Sequence, residues 1–270
     1  MKIAVLMTCH NRKEKTIGCL NHLYTQNVDN SNIIDVFLVD DGSTDGTSEA
    51  INKLYPEVNV IKGNGELYWN RGMCLAWEKA RAESIYDGYL WLNDDTMLYP
   101  NALNTVIDME KKYPNSIVVA SIESLKSPGL ITYGGMKNGK IVCSTTTLHK
   151  ECDIFNGNFV FIPTSVSDCI GYLDPYYRHS LGDFDYARRA IRAGVKCYVT
   201  PIIGSCERNS PEPIWNRGSL AQRFRRLYSP LGNNPFENYY FLKKDSYIKA
   251  ALLFLYIHIR VLLTFIWPKK

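Results

Sequence analysis

Four short apolar runs constrain the fold of this chain more than any other feature. They are Ile3 to Met7, Ile34 to Val39, Val58 to Ile61 and Tyr89 to Leu92, and polar residues follow each. Runs without polar alternation suit strands covered on both faces, and strands that alternate with helices build a parallel sheet. Helical periodicity predicts the intervening helices over about residues 13–24, 47–54 and 72–84. In open sheets of this kind, functional groups collect beyond the carboxyl ends of the strands. Three of those ends carry Thr8 to Arg12, Asp40-Asp41 and Asn93 to Asp95, so the pattern predicts that they meet at one cleft.

After residue 115 the pattern shifts to short strands, at Ile117 to Ser121, Leu130 to Tyr133, Lys140 to Cys143 and Phe159 to Ile162. A helix from Asp183 to Ala193 closes at Gly194 and is followed by the strand Cys197 to Val199. Pro211, Pro213 and Pro230 then mark a boundary near residues 205–215. A chain of 270 residues with 46% hydrophobic content has room for one α/β domain and an appendage. The eight cysteines are scattered, with no C-x-x-C pair, which suits small core residues in a reducing compartment. The first apolar run is too short for a signal-peptide core, so a cytoplasmic location is expected.

The net charge of +4 is unevenly placed. From Arg217 to Lys270 there are ten Lys or Arg against Glu237 and Asp245, a surplus of eight, which leaves the preceding part at −4. A basic end of this kind suits an anionic surface or a solvated face.

Asn93-Asp94-Asp95 follows a strongly apolar strand, where carboxylates suit a hard divalent cation bridging substrate phosphates. Read alone, the same pair suits a solvated turn. Asp40 and Asp41 have the chemistry to accept hydrogen bonds from a base or ribose, whereas Asp45 and Thr47 suit caps of the helix beside them. Asp183 reads both as a base and as an N-cap, and His179 both as an acceptor-facing residue and as a structural one.

In this order the pieces resemble family 2 glycosyltransferases with the GT-A fold, such as the rhamnosyltransferases of bacterial O-antigen and capsule assembly. The matching stretches are Thr8-Cys9-His10-Asn11-Arg12, Val39-Asp40-Asp41-Gly42-Ser43, Asn70-Arg71-Gly72, Leu92-Asn93-Asp94-Asp95 and Gly182-Asp183-Phe184-Asp185, with Arg188, Arg189 and Gly194 behind. The likeness covers roughly residues 2–205. It implies an α/β fold, Rossmann-like, with a mixed and mainly parallel sheet and a C-terminal helical appendage. Residues 1–210 would be the catalytic domain, 1–115 its nucleotide-sugar half and 116–210 its acceptor half; 211–270 would be a basic, amphipathic helical region.

The resemblance also implies roles. Thr8, His10, Asn11, Arg12, Asp40, Asp41, Gly65, Asn70, Arg71 and Asp94 would lie on the donor side. Asn93 takes the first carboxylate position of the family's DxD motif, so Asp95 would hold a divalent cation, Mg or Mn. Asp183 would be the catalytic base, with Asn156, Gly157, His179 and Asp185 on the acceptor side. The implied reaction is an inverting single displacement. It moves a sugar from a UDP- or dTDP-sugar to a hydroxyl of a surface glycan or lipid-diphosphate-linked acceptor. Besides Asn93, three places depart from the family pattern: Trp69 replaces an Arg, Gly182 replaces a Glu, and Cys206-Glu207-Arg208-Asn209 stands where a His often follows the last strand.

Tyr247 to Trp267 is mostly apolar, interrupted by Lys249, His258 and Arg260 and flanked by Lys243-Lys244 and Lys269-Lys270. A spanning helix needs about 20 apolar residues, and central charges cost several kcal/mol each. An in-plane interfacial helix fits better, with Arg223, Arg225 and Arg226 adding attraction to anionic headgroups. The expected location is therefore peripheral, on the inner face of the cytoplasmic membrane. Packing on the catalytic domain or in a homodimer remains open, and no nucleic-acid partner is expected. A sugar nucleotidyltransferase would carry a basic, glycine-rich loop where this chain has Thr8 to Arg12. A non-catalytic scaffold would tolerate Asn93 and Gly182, yet Asp95 and Asp183 are both present.

Overall fold

A computed structural model describes residues 1–29, 31–207, 216 and 218–266. The four apolar runs form strands β1 (Lys2–Cys9), β2 (Ile33–Asp40), β3 (Asn59–Lys62) and β4 (Gly88–Leu92). Helices α1 (Lys13–Tyr24), α2 (Thr47–Leu54) and α3 (Tyr68–Glu83) connect them. β1 pairs parallel with β2 and with β4, and β2 pairs parallel with β3. The chain therefore runs outward from β1 to β3 and returns to the other side of β1 for β4. That reversal opens a crevice beyond the carboxyl ends of β1 and β4.

Both faces of this sheet are covered, which is why its strands are apolar without alternation. Ile3, Val5 and Met7 of β1 pack with Leu38, Leu90 and Leu92, whereas Ala4 and Leu6 face Phe37, Val39, Trp77 and Trp91. The second group centres on Trp77, Trp91 and Tyr186, with ring centroids 5.2 to 5.8 Å apart.

β5 (Met97–Leu98) and α4 (Ala102–Lys112) follow β4. No helix was expected at α4, although Leu103, Val106 and Ile107 recur at helical spacing and are buried. The sheet continues with β6 (Ile117–Glu123), β12 (Phe159–Pro163) and β13 (Cys197–Ser205). β12 inserts antiparallel between β4 and β6, and β13 pairs parallel with β6. β10 (Lys150–Glu151) lies beside β13, and β7 (Ile131–Tyr133) pairs with β6. A separate small sheet holds β8 (Gly135–Lys137), β9 (Lys140–Val142) and β11 (Ile154–Phe155). Helices α5 (Thr164–Ile170) and α6 (Gly182–Arg192) complete this part.

Most of the boundary expected at residues 205–215, including Arg208, Asn209, Pro211 and Pro213, lies outside the described residues, as do Arg217, Trp267, Lys269 and Lys270. Beyond it come α7 (Leu220–Leu227), α8 (Pro235–Lys243) and α9 (Tyr247–Ile266). Ser219 and Gln222 close a capping box at the start of α7, and Asn234 caps α8 with proline at its first position. α9 buries Ala250, Ile257 and Val261, the last two packed with Leu227. At 100° per residue, the side opposite those positions carries Ile248, Leu252, Leu255, Ile259, Leu262 and Ile266, which are 40% to 74% exposed. The helix has a mean hydropathy of 1.8.

Candidate active site

An open cleft of about 700 Å³ lies beyond the ends of β1 and β4, lined by residues from all three predicted strand ends. Thr8, His10 and Arg12 come from the end of β1, and Asp41 and Gly65 from the ends of β2 and β3. Asn93, Asp94 and Asp95 follow β4. The lining continues with Asn156, Gly157 and Asn158 before β12, where Asn158 O accepts from Asn93 N at 2.8 Å, and with His179 to Leu181, Asp183 and Phe184 around the start of α6.

Asp41 is held by backbone groups. Its Oδ1 accepts from Gly65 N at 2.8 Å, and its Oδ2 from Leu67 N and Tyr68 N at 2.9 Å each. The carboxylate thus satisfies amides at the entry of α3, which have no partner within the helix. This explains why α3 starts at Tyr68, four residues before the expected Gly72. Tyr68 itself has φ +57°, an uncommon conformation for a bulky residue. Asp40 turns inward, where it accepts from Ser43 N at 2.9 Å and from the Ser48 hydroxyl. Asn11 ties the first two loops together: its backbone N–H donates to Ser43 Oγ at 2.9 Å and its Oδ1 accepts from Thr44 N at 2.7 Å. His10 Nδ1 sits 2.6 Å from Asp41 O.

The acidic pair is clasped by a cation. Arg12 Nη1 donates to Asp94 Oδ1 and to Asp95 Oδ2, both at 3.0 Å, and Cys206 Sγ lies 3.3 Å from Asp95 Oδ1. Burial pushes the Asp94 carboxyl up to about 7; Arg12 opposes the rise and Asp95 adds to it. Asp94 Oδ2 is buried without a hydrogen-bond partner. Asn93 is committed elsewhere, since its Oδ1 accepts from Trp69 Nε1 at 2.8 Å.

Among the described residues no group of three or more His, Cys, Asp or Glu could hold a metal ion. The donor set still fits a hard cation of the magnesium type. Such ions are held by one or two carboxylates and take the rest of their shell from substrate phosphates and water. Asp95, with the unpartnered Asp94 oxygen beside it, provides that much.

In the same cleft, Asp183 Oδ2 accepts from Gly157 N at 2.9 Å and its Oδ1 from Phe184 N at 2.8 Å. Burial raises its carboxyl to about 6 against these two amides, which lower it. Gly157 is required by contact, because a Cβ there would enter the Trp69 ring and come within 3.2 Å of Asp183 Cβ. His179 packs edge-on to Tyr68 at 6.4 Å; burial, then Arg12, lowers its pKa and so favours the neutral ring.

Asn70, Arg71 and Asp185 do not line the cleft. Asn70 is fully buried, with Nδ2 donating to Asp174 O at 2.9 Å and Tyr177 O at 2.8 Å. Arg71 Nε donates to Pro175 O at 2.9 Å. Asp185 is buried under α8, where it pairs with Lys244 at 2.7 Å and Arg189 at 3.1 Å. These three shape the loop before α6 from behind. Gly182 follows from that packing, since a Cβ at this position would collide with the Asn70 amide. Tyr133, Asn158, Ser180, Leu181 and Leu231 also line the cleft. Leu231 had no local signal, because it reaches the site only through the folding back of the C-terminal part.

Three kinds of comparison bear on this arrangement. The model for "Glycosyl transferase family 2" matches residues 4–170. No curated protein sequence matches the chain. Among solved structures, S. aureus TarS 1-349 is similar with a TM-score of 0.57 and 14% identity, over 76% of this chain and 60% of that one. TarS 1-349 in complex with UDP-GlcNAc is similar with a TM-score of 0.57 and 14% identity, over 84% of this chain and 64% of that one. The chain thus spans less than two thirds of these TarS structures, and the likeness is one of fold, the GT-A arrangement of an α/β sheet. The family match covers more than half of the sequence and its elements β1 to β4 build the cleft, so the chain belongs to glycosyl transferase family 2.

Proposed function

We propose that the cleft transfers a sugar from a nucleotide-diphosphate sugar to an acceptor hydroxyl with inversion at the anomeric carbon. The observation that carries this reading is that Asp183 lines the same cleft as Asp94 and Asp95. The donor enters over Thr8, His10, Asp41 and Gly65, with its diphosphate toward Arg12 and Asp95. UDP is the favoured nucleotide, supported by similar TarS structures determined with UDP and with UDP-GlcNAc; dTDP has the same hydrogen-bonding edge. Asp40 and Asn11 act by holding the loops on which the donor rests.

Asp183 takes the proton of the acceptor hydroxyl as that oxygen bonds to the anomeric carbon. The bond from that carbon to the diphosphate oxygen breaks, and the nucleoside diphosphate leaves with the electron pair. A divalent cation, Mg or Mn, held by Asp95 would neutralise charge on that leaving group. Arg12 holds the acidic pair until donor phosphate is present to share it. Asn156, Gly157 and His179 form the acceptor wall.

The exposed apolar side of α9, with Lys249 and Arg260 on its flank, supports peripheral binding to an anionic cytoplasmic membrane and an acceptor linked to lipid diphosphate. Binding of UDP-, dTDP- and GDP-sugars to wild type and Asp95→Ala, with and without Mn²⁺ or Mg²⁺, tests the donor reading. The expected outcome is metal-dependent binding of a UDP- or dTDP-sugar that the variant loses. Absence of binding by every donor in the presence of metal would sink the proposal.

A further inference from the structure

The acceptor wall is held from two sides, and one of them is the C-terminal part of the chain. Residues 174–179 form the loop that leads into α6, and Asn70 grips the carbonyls of Asp174 and Tyr177 from the donor side. From the other side, Lys244 Nζ donates to Asp174 Oδ2 at 3.1 Å and to Asp185 Oδ1 at 2.7 Å. The Tyr240 hydroxyl reaches the same Asp174 oxygen at 3.0 Å, and its ring stacks on Tyr176 with centroids 3.8 Å apart. Arg178 pairs with Glu237 at 2.7 Å.

Two of the carboxylates in these pairs are almost fully buried, Asp185 at 2% exposure and Glu237 at 5%. A buried charge that loses its partner is strongly unfavourable, so such pairs resist opening far more than surface pairs do. Lys244 joins the start of the loop, at Asp174, to the first turn of α6, at Asp185, where the Tyr177 hydroxyl also donates to Asp185 Oδ1 at 3.2 Å. Asp183 stands in that same turn, and His179 to Leu181, which line the cleft, lie between the two anchored ends. The same C-terminal part contributes Leu231 to the cleft lining.

We infer that Lys244 is a positioning residue for glycosyl transfer: it closes the 174–185 segment into a fixed arch and so sets Asp183 and the acceptor wall in place. The inference rests on the reading of Asp183 as the base. It makes α8 a component of the acceptor site. A tail that held only the membrane would leave turnover untouched when this contact is cut.

The test uses the full chain with Lys244→Met and Lys244→Arg. Amide hydrogen exchange over residues 174–183 reads the arch without any sugar. Release of nucleoside diphosphate from the UDP- or dTDP-sugar selected by the binding screen, with water as acceptor, reads its chemical consequence. The expected result for Lys244→Met is exchange at least tenfold faster in that segment, nucleotide release at least tenfold slower, and donor affinity within twofold of wild type. Lys244→Arg restores both to within threefold. Wild-type exchange and release rates in Lys244→Met would overturn the inference, as would equal loss in the Met and Arg variants. If Lys244→Met does not fold, Tyr240→Phe carries the test, with at least threefold faster exchange expected and unchanged exchange overturning the inference. A wild type that releases no nucleotide from any donor counts against Asp183 as base, whereas the exchange measurement still decides the positioning by Lys244.

Discussion

Strand β1 and helix α9 are both strongly apolar, yet Val5 and Leu6 are fully buried while Leu252 and Leu255 stand 62% and 58% exposed. The difference lies in what each element has on its second face. β1 is covered above and below by helices that the chain itself supplies, through residues as large as Trp77. Among the described residues α9 is covered on one side, by α7 and α8, and its opposite side offers a row of aliphatic groups about 30 Å long at 1.5 Å per residue. The sheet spends its apolar surface on its own stability and keeps its edge for chemistry. α9 keeps apolar surface exposed among the described residues.

If the division is real, variants at the edge of the sheet and on α9 should fail in different assays. Asp183→Asn should lower kcat by about 10²- to 10⁴-fold, as expected on removal of a general base, with vesicle binding unchanged. In the wild type, kcat/KM should rise with pH through about 6, the value to which burial lifts this carboxyl. The sign for stability is opposite. The folded-state pKa is above the ordinary 3.8, so the folded form binds the proton more tightly, and wild-type stability should fall between about pH 4 and pH 6. Asp183→Asn should show a shallower slope, with the remainder carried by carboxyls such as Asp94 that burial also raises, and urea unfolding across pH would reveal the difference.

Trp91→Ala should cost about 3–5 kcal/mol of stability, because its fully buried ring contacts Trp77 and Tyr186 across the sheet face. Equilibrium unfolding would measure this, and a loss below about 1 kcal/mol would remove the contrast between the two regions. Leu252→Glu with Leu255→Glu should change stability by less than about 0.5 kcal/mol. The same pair should abolish sedimentation with vesicles containing anionic lipid. A dimer in solution that the pair dissolves, without any vesicle binding by the wild type, would instead identify a second copy as the partner of α9.

How much of this was legible in the sequence depended on the range of the interaction. β1 to β4 announced themselves because each is a local run with turns on either side. The convergence of Thr8, Asp41 and Asp95 followed from sheet topology alone. The start of α3 was missed because its cap is the Asp41 carboxylate, 26 and 27 residues away in sequence. For the same reason Asp185, Asn70 and Arg71 looked like groups facing substrate. Their partners, Lys244, the carbonyls of Asp174 and Tyr177, and the carbonyl of Pro175, lie between 59 and 107 residues away. Asn93 and Gly182 stood out as departures from a pattern, but their reasons, the Trp69 indole and the Asn70 amide, required coordinates.

The contact between Gly182 and Asn70 also shapes how this sequence can vary. Asn70 is pinned by two carbonyl acceptors, so it does not yield to a side chain arriving at 182. A glutamate introduced there alone meets a wall, and a smaller residue at 70 introduced alone leaves the loop before α6 without its grip. The two positions are therefore expected to be coupled. A glutamate at 182 should cost less stability in a variant with a smaller residue at 70 than in the wild type, which a double-mutant cycle over the two positions would read.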